Sequence, residues 1–285
     1  MAGCQSHNSY AVPIVGVFGK WVAALQTVLI AILFTSCTPR VEGPKSEVFE
    51  QAYEVDPAAG LSIRNTDGSI VIHGTETAVV KLRAVKKARS SEELKGINIT
   101  ASAGTKAVSI TTSFLPQKHK ALSSGSRTVD YTIELPSTMN LTRVDLENGN
   151  VLIDGMHSED LHTTVVDGQL AIRNCCANSH ATMAHGTLDL YFDSCDRKRF
   201  SVDAQMTNGD ARLFVPRGAP FHIQAETITG TLTNAFGNLV NLNGRTERKV
   251  DLSIGKESRQ EIKLRVRTGD INIAESGSEK ATDSR

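Results

Sequence analysis

The chain carries a recurring pattern, a residue pair X-Gly followed by apolar side chains two and four positions later. The pairs are Asp67-Gly68, Asn148-Gly149, Asp167-Gly168, His185-Gly186, Asn208-Gly209, Thr229-Gly230 and Thr268-Gly269. The following positions read Ile70/Ile72, Val151/Ile153, Leu170/Ile172, Leu188/Leu190, Ala211/Leu213, Leu232/Asn234 and Ile271/Ile273, and thirteen of the fourteen are apolar. A period of two marks a strand with one buried face. Ahead of the glycines the alternation is looser, with Val144 and Leu146, Val165, Met183, Ala204 and Met206, and Leu264 and Val266 falling three and five residues earlier. Each unit therefore reads strand, tight turn, strand. The turn glycines Gly68, Gly149, Gly168, Gly186, Gly209, Gly230 and Gly269 supply the positive φ that such a turn needs.

From Gly149 to Gly230 successive turn glycines lie 19, 18, 23 and 21 residues apart. Two strands per period of this length predict rungs of an all-β, β-helix-like solenoid. The 39 residues from Gly230 to Gly269 leave room for one degenerate unit over 241–254. A β-sandwich of hairpins produces the same alternation, so the turn pattern leaves both architectures open. Outward positions favour stacking. Five past the glycine the series runs His73, Asp154, Arg173, Tyr191, Phe214, and three past it Asp189 is followed by Arg212. Equivalent positions on adjacent rungs sit about 4.8 Å apart, so Asp154 over Arg173 and Asp189 over Arg212 pair opposite charges. Upstream, 49–55, 79–85, 97–101, 108–110 and 131–135 also read as strands, with Pro136 ending the last. Residues 86–95 read as a short helix or a loop.

The N-terminus reads differently. Trp21 to Phe34 is apolar apart from Gln26. Its fourteen residues span about 21 Å as a helix, short of the roughly 30 Å of a bilayer core. This is the pattern of a secretory signal, and Leu33-Phe34-Thr35-Ser36-Cys37 resembles a bacterial lipobox, departing from it at Phe34. The expected organisation is a lipoprotein-type signal peptide at 1–36, a linker at 37–47, a β-solenoid domain at 48–274 and a disordered tail at 275–285. Cys37 is the expected lipidation site, making the membrane a partner through acyl chains.

Composition narrows the function. The 285 residues carry 31 Lys+Arg against 31 Asp+Glu, with a pI near 7.1, which removes the basic footprint of a nucleic-acid-binding protein. Without residues 1–36 the chain keeps 30 basic against 31 acidic residues and loses its one Trp, Trp21. A sugar-stacking cleft is correspondingly disfavoured. The sequence holds no Gly-x-Ser-x-Gly elbow, phosphate loop or HExxH motif. His157 and His162, like His180 and His185, are five apart and point to opposite faces of a strand, so no metal or other cofactor is expected. No catalytic residue is assigned.

Two local features stand out. Cys176 and Cys195 lie 19 residues apart, close to one repeat, and a disulfide between adjacent rungs would contribute on the order of 3 kcal/mol. A vicinal Cys175–Cys176 bond and three unpaired thiols are the alternatives. Two basic stretches, one with Lys118, Lys120 and Arg127 and the other with Arg197, Lys198 and Arg199, suit contact with anionic envelope polymers. Solvated loop surface is the alternative reading of both.

The ordered segments 61–72, 131–136, 144–155 and 265–273 together resemble the adhesin-like domain of unknown function found in bacterial cell-envelope proteins. The resemblance covers most of 48–274. It implies a β-helix-like solenoid and supplies no catalytic residues to carry over. The expected function is a lipid-anchored envelope protein presenting a non-enzymatic adhesive or scaffold surface to an unknown envelope or surface partner. The alternatives are a periplasmic sensor or assembly partner of another envelope protein, and a polysaccharide-acting β-helix enzyme.

Overall fold

The structure, a computed structural model, describes residues 43–56, 58–104, 106–115, 127–193, 199–236, 248–255 and 260–276. In chain order the elements are β1 (Lys45–Glu54), β2 (Gly60–Thr75), β3 (Val79–Ala88), α1 (Ser91–Lys95), β4 (Ile97–Ala103), β5 (Ala107–Phe114), β6 (Arg127–Pro136) and β7 (Asn140–Asp154). They continue with β8 (Asp160–Arg173), β9 (Asn178–Tyr191), β10 (Phe200–Val215), β11 (Phe221–Thr229), β12 (Leu232–Asn234), β13 (Lys249–Ile254), β14 (Gln260–Thr268) and β15 (Ile271–Glu275). β1 thus begins inside the expected linker, and β15 reaches one residue into the expected tail.

The repeat glycines are corners, not hairpin turns. β2, β7, β8, β9 and β10 run straight through Gly68, Gly149, Gly168, Gly186 and Gly209, whose φ lies between 125° and 134°. Burial switches parity at each corner. In β7, Val144 and Leu146 are buried before the glycine and Val151 and Ile153 after it, a five-residue step that a regular strand would send to opposite faces. The positive φ absorbs the odd residue, so a first limb and a second limb bury their apolar faces in one core. All thirteen apolar positions two and four past the glycines are buried.

Neighbouring rungs pair in parallel, glycine against glycine, which excludes the sandwich of hairpins. The stack runs Gly68, Gly149, Gly168, Gly186, Gly209, Gly269, Gly230. The last two are in reverse chain order, because β14 and β15 insert between β10 and the rung formed by β11 and β12. The degenerate unit expected over 241–254 is not a rung. Its described part, β13, lies antiparallel on β11. Lys249 and Asp251 alternate with apolar residues there without a corner glycine between them, so the strand forms an edge.

At the other end one rung is split. β5 pairs with the first limb of β2 and β6 with its second limb, both in parallel. Antiparallel strands then close the ends, β4 on β5, β3 on β6 and β1 on β3. The ends of the glycine ladder also differ in the core. Three residues before the corner the inner rungs carry Leu146, Val165, Met183, Met206 and Val266, whereas the outer rungs carry Asn65 and Thr227. Asn65 Nδ2 donates to the Val129 carbonyl at 2.8 Å, and Thr227 Oγ1 donates to the Gly269 carbonyl at 2.7 Å. Both side chains satisfy corner carbonyls where the ladder stops or changes.

The segments joining the rungs stack as well. His157 N–H donates to Ser137 O and Cys176 N–H to Met156 O, while Met139, Met156, Cys175 and Phe192 are buried. Asn140 Oδ1 accepts the N–H groups of Glu159 and Asp160, and Asn178 Oδ1 accepts that of Ser201. Residues 91–95 settle as the helix α1, whose Ser90 Oγ accepts the Glu93 N–H at 3.1 Å.

Among the described residues Tyr131 is the largest fully buried side chain, and its hydroxyl lies 2.8 Å from Thr112 Oγ1. Burial pushes its pKa up to about 12, against the lowering effect of the Thr112 bond. The unfolded chain ionises first, so this tyrosine's contribution is complete below the ordinary value of 10.0 and is lost as pH rises towards about 12. Urea unfolding between about pH 9 and pH 11 should show stability falling, and Tyr131→Phe should flatten the fall. An equally steep fall in Tyr131→Phe would refute the assignment.

Candidate functional site

The corner geometry lays outward side chains in rows at rung spacing, and the second-limb sheet carries the most structured of them. Five past the glycine, His73 Nδ1 lies 4.0 Å from Asp154 Oδ2. The Arg173 guanidinium sits 5.2 Å from the centre of the Tyr191 ring. Tyr191 and Phe214 stack with ring centres 4.3 Å apart and planes within 3°. One row nearer the corner, Arg212 Nε and Nη2 donate to Asp189 Oδ1 and Oδ2 at 2.6 and 2.7 Å. Gln169 Nε2 adds a donor at 3.4 Å from Asp189 Oδ2.

The two expected charge pairs therefore resolve differently. Asp189 and Arg212 form a two-point ion pair on adjacent rungs, with the carboxylate side chain 6% exposed and the guanidinium side chain 38% exposed. Asp154 and Arg173 are register partners, but Asp154 approaches His73 and Arg173 lies over Tyr191. The ring is a flat, electron-rich acceptor for the cation one rung along. The row thus falls into two linked groups, His73 with Asp154 and Arg173 with Tyr191, the second ending on the Phe214 ring, which is buried.

The outward face of the first-limb sheet carries charged and imidazole side chains as well. His162 and His180 are register partners with ring centres 6.1 Å apart. Their signal in the sequence is a separation of one rung, not the five residues that part His157 from His162 or His180 from His185. A shallow groove of about 440 Å³ beside it is lined by Arg64, Thr66, Arg143, Asp145, Glu147 and Thr164, among others. Both of its arginines share the one carboxylate of Asp145, Arg64 Nε lying 3.5 Å from Oδ2 and Arg143 Nε donating to the same oxygen.

The expected site residues fall unevenly. Cys37, Lys118, Lys120, Cys195, Arg197 and Lys198 lie outside the described residues, as does the expected signal peptide. Arg199 is exposed. Arg127 donates to the Leu115 carbonyl at 2.9 Å and stacks 5.0 Å from the centre of the Phe114 ring, bracing the split rung. Cys176 is disulfide-bonded, while Cys175 is a free, buried thiol, which excludes the vicinal bond. Burial pushes the Cys175 thiol up to about 12 and keeps it unreactive near neutral pH.

Among the described residues no group of three or more His, Cys, Asp or Glu is placed to hold a metal ion. No helix of the described residues is long and apolar enough to cross a membrane. The arrangement is suited to contact over an extended surface, with side chains presented in fixed rows on paired strands.

A solved structure shows the same fold. A candidate cell adhesion protein from Clostridium sporogenes aligns over 80% of this chain and 100% of its own, at 19% identity and a TM-score of 0.50. A candidate adhesin from Bacteroides fragilis aligns over 80% of this chain and 97% of its own, at 12% identity and a TM-score of 0.33. No curated protein matches the chain. Residues 56–274, a span that includes every corner glycine, match the family described as Toastrack DUF4097, and the chain belongs to that family.

Proposed function

We propose that the protein is an exported, lipid-anchored component of the bacterial cell envelope whose rung-stacked sheets form a non-enzymatic, adhesin-like or scaffolding surface. The observation that carries this reading is the row from His73 through Asp154 and Arg173 to Tyr191, which crosses four rungs on one face and is backed at its end by the buried Phe214 ring. Surfaces of this kind suit recognition by shape and repeated contact, as in other stacked-repeat proteins. The fold shared with a candidate cell adhesion protein supports the same reading. The signal-like segment ending at Cys37 supports the anchor, since the several chains of a bacterial lipoprotein hold a membrane firmly where one acyl chain is marginal.

Two measurements on the full chain expressed in a bacterial host test it. Metabolic labelling with palmitate should mark the protein and be lost in Cys37→Ser; an unlabelled wild type refutes the anchor. Binding to fractionated envelope should saturate, survive high salt and weaken in Arg173→Ala. Binding that disappears at high salt reduces the interaction to polyanion attraction and overturns the shape-reading surface.

A further inference from the structure

The sheet edges are not equally protected. β1 ends one side of the second-limb sheet and carries Glu47, Glu50 and Glu54, while β13 ends one side of the first-limb sheet and carries Lys249 and Asp251. Charges on an exposed edge discourage pairing with another chain. β12, at the far side of the second-limb sheet, is three residues long. β4 has none of these devices. Its seven residues, Ile97-Asn-Ile-Thr-Ala-Ser-Ala103, include no charge and no proline. Its pairing with β5 contains no bulge, and among the described residues it pairs with β5 alone. Ile99 and Ala101 are half-buried on its inward side, and Ala103 is exposed.

We propose that β4 is a self-pairing edge, which joins β4 of a second copy of this chain antiparallel about a twofold axis through Thr100. The order of side chains along the strand argues for it. In that register Ile97 faces Ala103 of the second copy, Asn98 faces Ser102, Ile99 faces Ala101 and Thr100 faces its own equivalent. Each large apolar side chain meets a small one, and each polar side chain meets a polar one. The register also keeps inward residues opposite inward residues, which a one-residue slip would not. The outward neighbours on β5, Ser109, Thr111 and Ser113, are uncharged too, so no charge on β5 lies beside the middle of the seam. The contact is isologous and closes on itself as a dimer, continuing the first-limb sheet from one copy into the other. Seven residues from each copy make a small interface, so the dissociation constant is expected in roughly the micromolar range or weaker.

Sedimentation velocity of the full chain across a concentration series should show a reversible dimer. Thr100→Cys should give a disulfide-linked dimer on mild oxidation, well above Ser113→Cys one strand inward. Thr100→Lys sets two ammonium groups face to face at the axis and should weaken association at least tenfold. Because Thr100 is exposed, the monomer should keep its wild-type circular dichroism melt. A chain that stays monomeric to about 200 micromolar, a dimer indifferent to Thr100→Lys, or Thr100→Cys that cross-links no better than Ser113→Cys would each overturn the proposal.

Discussion

Gly168→Ala is expected to destabilise the protein by about 4 kcal/mol or more, whereas Gly218→Ala should change stability by no more than about 0.5 kcal/mol. At Gly168 the φ is +134°, and an added Cβ would sit 1.8 Å from the carbonyl oxygen of Gly149 on the rung below. The left-handed backbone alone costs on the order of 1–3 kcal/mol for a residue with a side chain. The clash costs more, because its other member is backbone inside a parallel ladder and no rotamer change relieves it. Separating the rungs would break main-chain hydrogen bonds on both limbs. Gly218, by contrast, has nothing within 4 Å of a built Cβ. Urea unfolding of the two variants beside wild type measures the contrast, and a Gly168→Ala midpoint close to wild type would rule out a tightly packed corner ladder.

Arg212→Ala is expected to cost about 3 kcal/mol, more than Asp189→Asn. The asymmetry follows from exposure. Removing Arg212 leaves a carboxylate whose side chain is 6% exposed, with Gln169 at 3.4 Å as a remaining donor. Removing the Asp189 charge leaves a guanidinium whose side chain is 38% exposed, and water can solvate it. The double variant Asp189→Ala/Arg212→Ala should recover part of the loss, giving a coupling of roughly 1–3 kcal/mol in a double-mutant cycle. If Asp189→Asn proved the costlier single change, the picture of a buried carboxylate held by an accessible arginine would be wrong.

Much of the architecture was legible in the residues because the rung is a local unit. The step from Leu146 to Val151 across Gly149 already contains the corner, and the alternation after each glycine identifies the buried face. Asp189 over Arg212 could be read because one period separates them. What could not be read was neighbour identity across distance. The rungs around Gly230 and Gly269 look alike in sequence, and nothing local says which of them docks on β10. The split rung escaped because Val129, not a glycine, stands opposite Gly68, so Val108, Ile110, Tyr131 and Ile133 read as unrelated strands. The family resemblance drawn from short motifs held for the domain as a whole. It could not point to the band on the second-limb face, because a row becomes visible once the register of every rung is fixed. The pairing of His162 with His180 was hidden for the same reason.

The exchanged order of the last two rungs bears on how the molecule is made. Rungs from Gly149 to Gly209 can be laid down in the order in which the chain emerges, each on a template already present. β11 and β12 emerge next, but the strands that seat them, β14 and β15, come last. The far end of the stack therefore cannot be finished by vectorial addition, since its register waits for nearly the final residues of the domain. A chain truncated before Gln260 would hold the earlier rungs and leave β11 and β12 without their parallel neighbours. Completion of the fold thus waits for synthesis of the whole domain, and a late assembly step is expected at its C-terminal end, where β14 must close a loop back onto β10.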